Sequence, residues 1–578
     1  MPLNDVSFCI GGEAGQGVES SGAGFAKALA RAGLFTTAVP DYYSRIRGGH
    51  NFFTIRVSAE PVLAVKDTIQ VLLALDALTI TRHCQRLVPG GAIVVDKTIA
   101  FDAALLEGRD VRLIQAPLLE IAKAEGDEVM VNTAGLAVLV GLMGFDLIYM
   151  MGVIEDSFGK KGDAVVGANH RVAQTAYKWA EENHAAGFPW KLQAQSGAKL
   201  LALNANQAFA LGSLMAGCKF VAGYPMTPAT PVLEYMAQHA TEWGIVVKQT
   251  ESEIAAINML VGAATAGVRA MAPTSGGGFD LMTEGISLAA MTESPVVILL
   301  GQRPGPATGL PTRSSQGDLF LALYAGHGEY SRFVFAPHTM QEFYSCAIRA
   351  FNLADKYQCP TIVLSDHFIA GTYQTIAVSE LDIDHIAIDR GKLLSAAQVD
   401  ALPGYKRYAL TDDGVSPRAI PGCSPNAIFL TTGDEHDEEG HISEDAHLAA
   451  LMAEKRLAKA RAAMGDMRPP FRYGPESVDL TFVCWGSSYG AVVESIKELA
   501  LKGVSANAFC FVDLWPFPVA AAQAALSGSK RLISVEANAS GQLAALLRAQ
   551  AEIKVQQQTL RYDGRSFTPD YILSQLEG

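Results

Sequence analysis

Short, wholly apolar runs recur along the chain, each followed by a turn rich in glycine or proline and then by alanine-rich stretches with helical spacing. In the first part these runs are Val6 to Ile10, then VLLALDAL, GAIVVD and VRLIQAP. In the middle they are CKFVAGYP, RAMAPTS and PVVILLGQ, and near the end LTFVCWG, VSANAFCFVD and RLISVEAN. A strand that is apolar on both faces belongs in a sheet covered on both sides, and strands alternating with helices give parallel α/β domains. The pattern predicts an α/β domain over residues 1–190, with a helix from Ala23 to Ala32, and a polar linker over 187–199. It predicts a second α/β domain over 200–380 and a third, smaller one over 471–578. Between them, 381–470 carries the acidic run GDEHDEEGHISED and a charged helix, AHLAALMAEKRLAKARAAM, and is expected to be a surface connection or insertion.

One apolar stretch, Gly135 to Ile154, approaches the length of a membrane span. Asp146 and several glycines interrupt it, and Thr133 and Glu155 flank it in place of the usual basic or tryptophan anchors. The expectation is a buried helix, a loop and a second apolar segment, with no membrane association.

Composition narrows the function classes. Of 578 residues, 49% are hydrophobic and 18% charged, which is a packed composition. The mean hydropathy of +0.18 fits doubly covered sheets or surface buried against a partner. The net charge of -14 carries no basic footprint for nucleic acid. The first residues lack a charged stretch followed by an apolar core, so no secretory signal is expected. None of the eight cysteines lies within four residues of another, which excludes the local spacings of zinc and iron-sulfur sites. Reduced core cysteines in a cytoplasmic protein are expected.

The densest chemistry lies in the second domain. GYPMTPATP places Thr227 and Thr230 among Pro225, Pro228 and Pro231, a stiff loop after a strand. Such a loop suits a small polar ligand at the carboxyl end of a sheet, and equally a plain strand ending. In VKQTESEIAAINMLVGAATAG, Thr250 or Ser252 caps a helix that opens with Glu251 and Glu253. A helix dipole alone favours carboxylates there; a cofactor contact is the other reading. TSGGGFDLMTEG puts Gly276 to Gly278 after a strand, where backbone approaches something closely. QRPGPATGLPTRSSQGDL supplies Arg303, Thr312 and Arg313.

Taken in order, YPMTPAT, ESE, TSGGGF, GQRPGPATGLPT, QGDL, GHGE and LSDH strongly resemble the α subunit of 2-oxoacid:ferredoxin oxidoreductases. TTGDEHDEEGHISED with AEKR, LWPFP and VEANASGQL fit the same family. In the first domain, GGEAGQG and YYSRIRGGHNFFTIRVS resemble its γ subunit. The chain thus looks like a fused γ-α subunit over nearly its whole length.

The resemblance implies a γ-type N-terminal α/β domain, a transketolase-like pyrimidine-binding domain and a C-terminal transketolase-like α/β domain. It implies oxidative decarboxylation of a 2-oxoacid with coenzyme A and ferredoxin, using thiamine diphosphate. Glu253, with Glu251 as fallback, would hydrogen-bond the aminopyrimidine, and Tyr224 would lie against the cofactor. Arg303 would hold the substrate carboxylate, with Thr227 and Thr312 as donors; an Arg fork suits a carboxylate. A surface or interface salt bridge is the plain alternative for Arg303. The chain has no GDG followed by an Asn pair. Mg2+, the pyrophosphate and a [4Fe-4S] cluster are therefore expected on a β subunit, in an (αβ)2 heterotetramer.

GGEAGQG departs from the dinucleotide spacing and Asp41 is the nearest acidic residue, so a nicotinamide site is rejected. SRIRGGHN, with Arg45, Arg47, Gly48 and Gly49, makes a phosphate nest, and the resemblance makes coenzyme A its anion; solvated arginines on a turn are the alternative. His436 and His441 are expected in a solvated or inter-subunit loop rather than at a metal. The favoured substrate, by analogy alone, is 2-oxoglutarate, with Arg313 or a β-subunit residue for its second carboxylate. Pyruvate or a branched-chain 2-oxoacid is the alternative. A noncatalytic coenzyme A- or nucleotide-binding protein is the reading from another class.

Overall fold

The computed structural model describes residues 3–576 apart from 44–48. Two compact units divide it. The first holds 1–204 together with the returning pieces Gly371–Glu380 and Thr568–Gly578, and the second holds Ala205–Ala370 and Leu381–Phe567.

The first unit contains an eight-stranded sheet in the order Val111–Ala116, Leu87–Asp96, Ile69–Ala74, Val6–Glu13, His50–Ser58, Phe35–Asp41, Tyr373–Ala377, Leu200–Leu203. Its first four strands are parallel. The rest pair antiparallel, which corrects the expectation of a parallel domain. The reason is chain length: Phe35–Asp41 and His50–Ser58 are joined by too few residues for a crossover helix, so they form a hairpin. The first strand also runs past Ile10 to Glu13, because Gly11 and Gly12 pair with Phe52 and Asn51. A Cβ on Gly11 would lie 2.6 Å from the Thr79 methyl, so glycine lets the strand end lie against helix Ala77–His83. Helix Val18–Arg31 starts earlier than the alanine spacing indicates.

The stretch resembling a membrane span is broken as its sequence suggests. Helix Val131–Leu142 is buried from Thr133 onward, Gly144 turns the chain at φ 65°, and helix Ile148–Phe158 follows. Among the described residues no helix is long and apolar enough to cross a membrane.

The second unit holds two sheets. The seven-stranded one runs Asp513–Trp515, Phe333–Phe335, Thr361–Asp366, Val297–Gln302, Ala270–Ser275, Phe220–Gly223, Val246–Gln249, parallel except for its first strand. The three strands at its centre are buried at every residue, as their unbroken apolar sequences require. The five-stranded sheet runs Phe471–Tyr473, Ala506–Cys510, Leu480–Cys484, Leu532–Glu536, Gln557–Leu560, again parallel but for the edge.

Residues 381–470 are mostly irregular, but they are not a surface appendage. Helix Ala446–Ala462 buries Lys455 and Lys459, whose ammonium groups lie 2.5 and 2.7 Å from the fully buried Glu293 carboxylate. Arg407 donates to the Glu293 carbonyl at 2.8 Å. The charges that read as a solvated helix face are half of an interior ion cluster. His436 is likewise buried, its Nδ1 3.0 Å from the Asp434 carbonyl and its ring 4.2 Å from that of Tyr408. Only His441 keeps the solvated position expected of both. Among the described residues no group of three or more His, Cys, Asp or Glu side chains is arranged to hold a metal.

Candidate active site

The seven-stranded sheet reverses its order beside Phe220–Gly223. The chain goes from that strand outward to Val246–Gln249, then crosses back to Ala270–Ser275 on the other side. In open parallel sheets a ligand crevice opens where the strand order reverses, beyond the carboxyl ends of the strands. Four of the segments singled out in the middle of the sequence leave such strand ends. Tyr224–Ala229 follows one strand, Thr250–Glu253 the next, the triple glycine the third and Arg303–Gln316 the fourth.

Glu253 is the first residue of helix Glu253–Thr265, and Ser252 is its cap, accepting from the Ala255 amide. Thr250 instead donates to the Ser252 carbonyl at 2.9 Å. The two candidate glutamates separate by burial: Glu251 is exposed, whereas Glu253 is 2% exposed. Glu253 Oε1 is buried and has no hydrogen-bond partner. A buried polar atom left alone costs about 1–3 kcal/mol, so a partner is to be expected there. The third glycine of the motif makes room for this group: a Cβ on Gly278 would overlap both Glu253 Oε1 and Thr274 Oγ1.

Arg303 begins the segment after Val297–Gln302, and its Nη1 donates to the Thr227 carbonyl at 2.8 Å. This bond joins two sequence-chosen residues, although Thr227 contributes its carbonyl rather than its hydroxyl. Partial burial lowers the Arg303 pKa, opposed by the charge of Asp318. Thr312 is half-buried, and its carbonyl accepts from Arg313 Nη1 at 3.0 Å. Tyr224 is exposed, as are Ile254, Leu281 and Leu310, on the segments that carry these residues.

The segment's far end is tied down by Gln316, which is fully buried. Its Nε2 donates to the Trp485 carbonyl at 2.7 Å, and its Oε1 accepts from Ser488 Oγ at 2.9 Å and the Ala537 amide at 2.8 Å. Asn538 Nδ2 donates to its carbonyl at 3.1 Å. The VEANASGQL motif is therefore scaffold: it anchors the Arg303 segment to the five-stranded sheet. Beyond the anchor, burial pushes the Asp318 carboxyl up to about 6, helped by Asp280 and opposed by Arg303. His367 is buried and held down at about 4 by burial and the charges of Arg313 and Arg303. Sequence reasoning passed over Asp318 because an Asp before a short helix reads as a cap, and over His367 because LSDH has no spacing signal of its own.

In the first unit, GGEAGQG turns at Gly15 and Gly17 beside a cavity of about 420 Å³ lined by Gln16, Asp96, Thr98, Glu128 and Asn132 among others. Gly49 has a φ of 89°. Arg45, Arg47 and Gly48, which the sequence offers as a phosphate nest with Gly49, lie outside the described residues.

Known proteins resemble this arrangement from end to end. Residues 212–455 match the family described as pyruvate flavodoxin/ferredoxin oxidoreductase, thiamine diP-binding, and residues 7–179 match pyruvate ferredoxin/flavodoxin oxidoreductase. The 2-oxoacid:ferredoxin oxidoreductase subunit alpha of a Sulfolobus species is 33% identical, over 98% of this chain and 95% of its own length. The 2-oxoglutarate synthase subunit KorA of Archaeoglobus fulgidus is 38% identical over 55% of this chain and 82% of its own length. A solved 2-oxoglutarate:ferredoxin oxidoreductase from Magnetococcus marinus, with 2-oxoglutarate, coenzyme A and succinyl-CoA bound, superposes with a TM-score of 0.91 at 33% identity. That match covers 100% of this chain and 99% of that one. The chain belongs to the 2-oxoacid:ferredoxin oxidoreductases, among their alpha subunits.

Proposed function

We propose that this subunit holds the pyrimidine of thiamine diphosphate and the carboxylate of 2-oxoglutarate in a reversible oxidation. The reaction converts 2-oxoglutarate, coenzyme A and oxidised ferredoxin to succinyl-CoA, carbon dioxide and reduced ferredoxin. The observation that carries the reading is the lone buried Glu253 Oε1, seated against Gly278 at the strand-order reversal. Thiamine diphosphate, when bound, supplies a nucleophilic carbon and an electron sink for the carbon that loses carbon dioxide. Glu253 is the residue to hold the proton shared with the pyrimidine nitrogen. Tyr224 shields the ring. Arg303 takes the substrate carboxylate, its orientation set by the Thr227 carbonyl, and Thr312 donates beside it.

The choice of 2-oxoglutarate is supported by the names of the Archaeoglobus subunit and the Magnetococcus enzyme. Pyruvate is the second reading, supported by the family descriptions. Coenzyme A is assigned to the first unit, at Arg47, Gly48 and Gly49. A β subunit bearing Mg2+, the pyrophosphate and a [4Fe-4S] cluster completes the enzyme in an (αβ)2 assembly, and ferredoxin takes the electrons. Exposed Tyr224, Ile254, Leu281 and Leu310 are apolar surface for that subunit to cover.

The test is turnover of the assembled enzyme with 2-oxoglutarate, pyruvate and 2-oxobutyrate, in the native form and as Glu253→Ala. Loss of a positioned acid lowers turnover by about 10²- to 10⁴-fold. Unchanged turnover of the variant removes the role of Glu253, and preference for pyruvate removes the substrate choice.

A further inference from the structure

Asp318 stands at the N-cap position of helix Leu319–Tyr324, yet its side chain caps nothing. Its Oδ2 is buried without a hydrogen-bond partner. A Cβ on Gly276 would lie 2.8 Å from that oxygen, so the first glycine of the motif seats Asp318 as the third seats Glu253. Its amide donates to Gln302 Oε1 at 3.0 Å, next to Arg303, and two residues before it the chain is anchored at Gln316. A rigid anchor, a glycine seat and an unused carboxyl oxygen are more than a helix start requires.

We propose that Asp318 is a positioning residue for substrate binding, acting through Arg303 so that the 2-oxo carboxylate binds together with one proton. The inference rests on the assignment of the carboxylate to Arg303. The charged groups around Asp318 are Arg303, which favours its ionised form, and Asp280, which disfavours it. Glu253 lies across the triple glycine, and Arg313 and His367 lie on the Arg303 side. In the free enzyme, among the described residues, Arg303 is the cation that acts on the Asp318 carboxylate. When a substrate anion takes up the guanidinium, a second negative charge approaches and part of the compensation is lost. The carboxylate then takes a proton from solvent onto its free oxygen. Nothing else changes hands: one proton leaves water and one Asp318 O–H bond forms.

Burial already brings Asp318 to about 6, so the linkage operates above that pH. There, substrate binding must draw a proton whose availability falls with pH. The KM for the 2-oxoacid is expected to rise by about tenfold per pH unit above roughly pH 6, until the pKa of the substrate-bound form is passed, while kcat stays level. Asp318→Asn, which keeps shape and removes the charge, should give a low KM that no longer depends on pH in this range, with kcat within several-fold of native. Asp318→Glu should restore the slope.

The experiment measures KM and kcat against pH on the complex assembled with its partner subunit, for native, Asp318→Asn, Asp318→Glu and Arg303→Met. An Asp318→Asn enzyme that keeps the native KM slope overturns the inference. If Arg303→Met raises KM while Asp318→Asn keeps the slope, the Arg303 assignment stands and only the inference falls. If Arg303→Met leaves KM unchanged, the carboxylate assignment itself fails. Should Asp318→Asn not assemble, calorimetry of oxamate binding to the native complex, in buffers of different ionisation heat, counts the proton directly. Uptake close to one proton near pH 7 supports the inference, and no uptake overturns it.

Discussion

Replacing Gly278 by alanine is the sharpest probe of the site, because one methyl group is aimed at one oxygen. The built Cβ overlaps Glu253 Oε1 and Thr274 Oγ1, both on buried residues. Thr274 lies in a strand buried at every residue and cannot retreat. The Glu253 carboxyl, at the first residue of its helix, is the part that moves. Overpacking of this kind costs about 1–3 kcal/mol of stability, which a subunit of this size tolerates. The larger effect is on catalysis. Displacing a positioned proton-holding group lowers turnover by about 10²- to 10⁴-fold, which corresponds to roughly 3–5 kcal/mol of barrier. The assay is 2-oxoacid-dependent reduction of a one-electron dye by the assembled enzyme, with Gly278→Ala, Glu253→Ala and the double variant compared. Acting through one group, the two changes must not multiply, so the double variant should match Glu253→Ala. Native turnover in Gly278→Ala, or losses that multiply in the double variant, refutes the reasoning.

Other outcomes follow from buried charge and from the anchor. Glu293→Gln leaves two buried ammonium groups without their anion and is expected to destabilise the second unit by about 3–5 kcal/mol, read by urea unfolding. His338 and His83 are held neutral at about 3, mainly by burial, so stability is full above the unfolded histidine pKa of roughly 6.5. It falls as pH drops toward 3, because the unfolded chain binds those protons first; His338→Phe should flatten the decline in acid unfolding curves. Gln316→Ala removes the tie between Trp485 and Ala537 and should raise the KM for the 2-oxoacid more than it lowers kcat, in steady-state kinetics.

The α/β character and most strand positions were legible because a doubly covered strand needs an unbroken apolar run. RAMAPTS and PVVILLGQ became Ala270–Ser275 and Val297–Gln302. Glu253 was legible as a helix-start carboxylate in a recognisable motif, but only burial separates it from Glu251. Features that depend on distant partners were not legible. Lys455 and Lys459 look solvated until Glu293 is seen more than 160 residues earlier in the chain. Asp318 looks like a cap until Gly276 is seen against it. The strand Tyr373–Ala377 falls within the range expected for the middle domain, yet Thr375 Oγ1 accepts from the Thr36 amide, 339 residues away.

That last strand bears on how such a chain can be divided. It runs between Phe35–Asp41 and Leu200–Leu203, so a stretch encoded after the six parallel strands of the second unit's seven-stranded sheet completes the sheet of the first. Cutting near residue 200 would not release an intact module; it would remove an interior strand and bare the edge of Phe35–Asp41, an invitation to pair with other chains. A separately encoded protein built on this first domain has to finish that edge in another way. Here the two parts of the sequence that resemble separate subunits are interleaved by backbone hydrogen bonds, and the fusion is written into the sheet rather than into a linker.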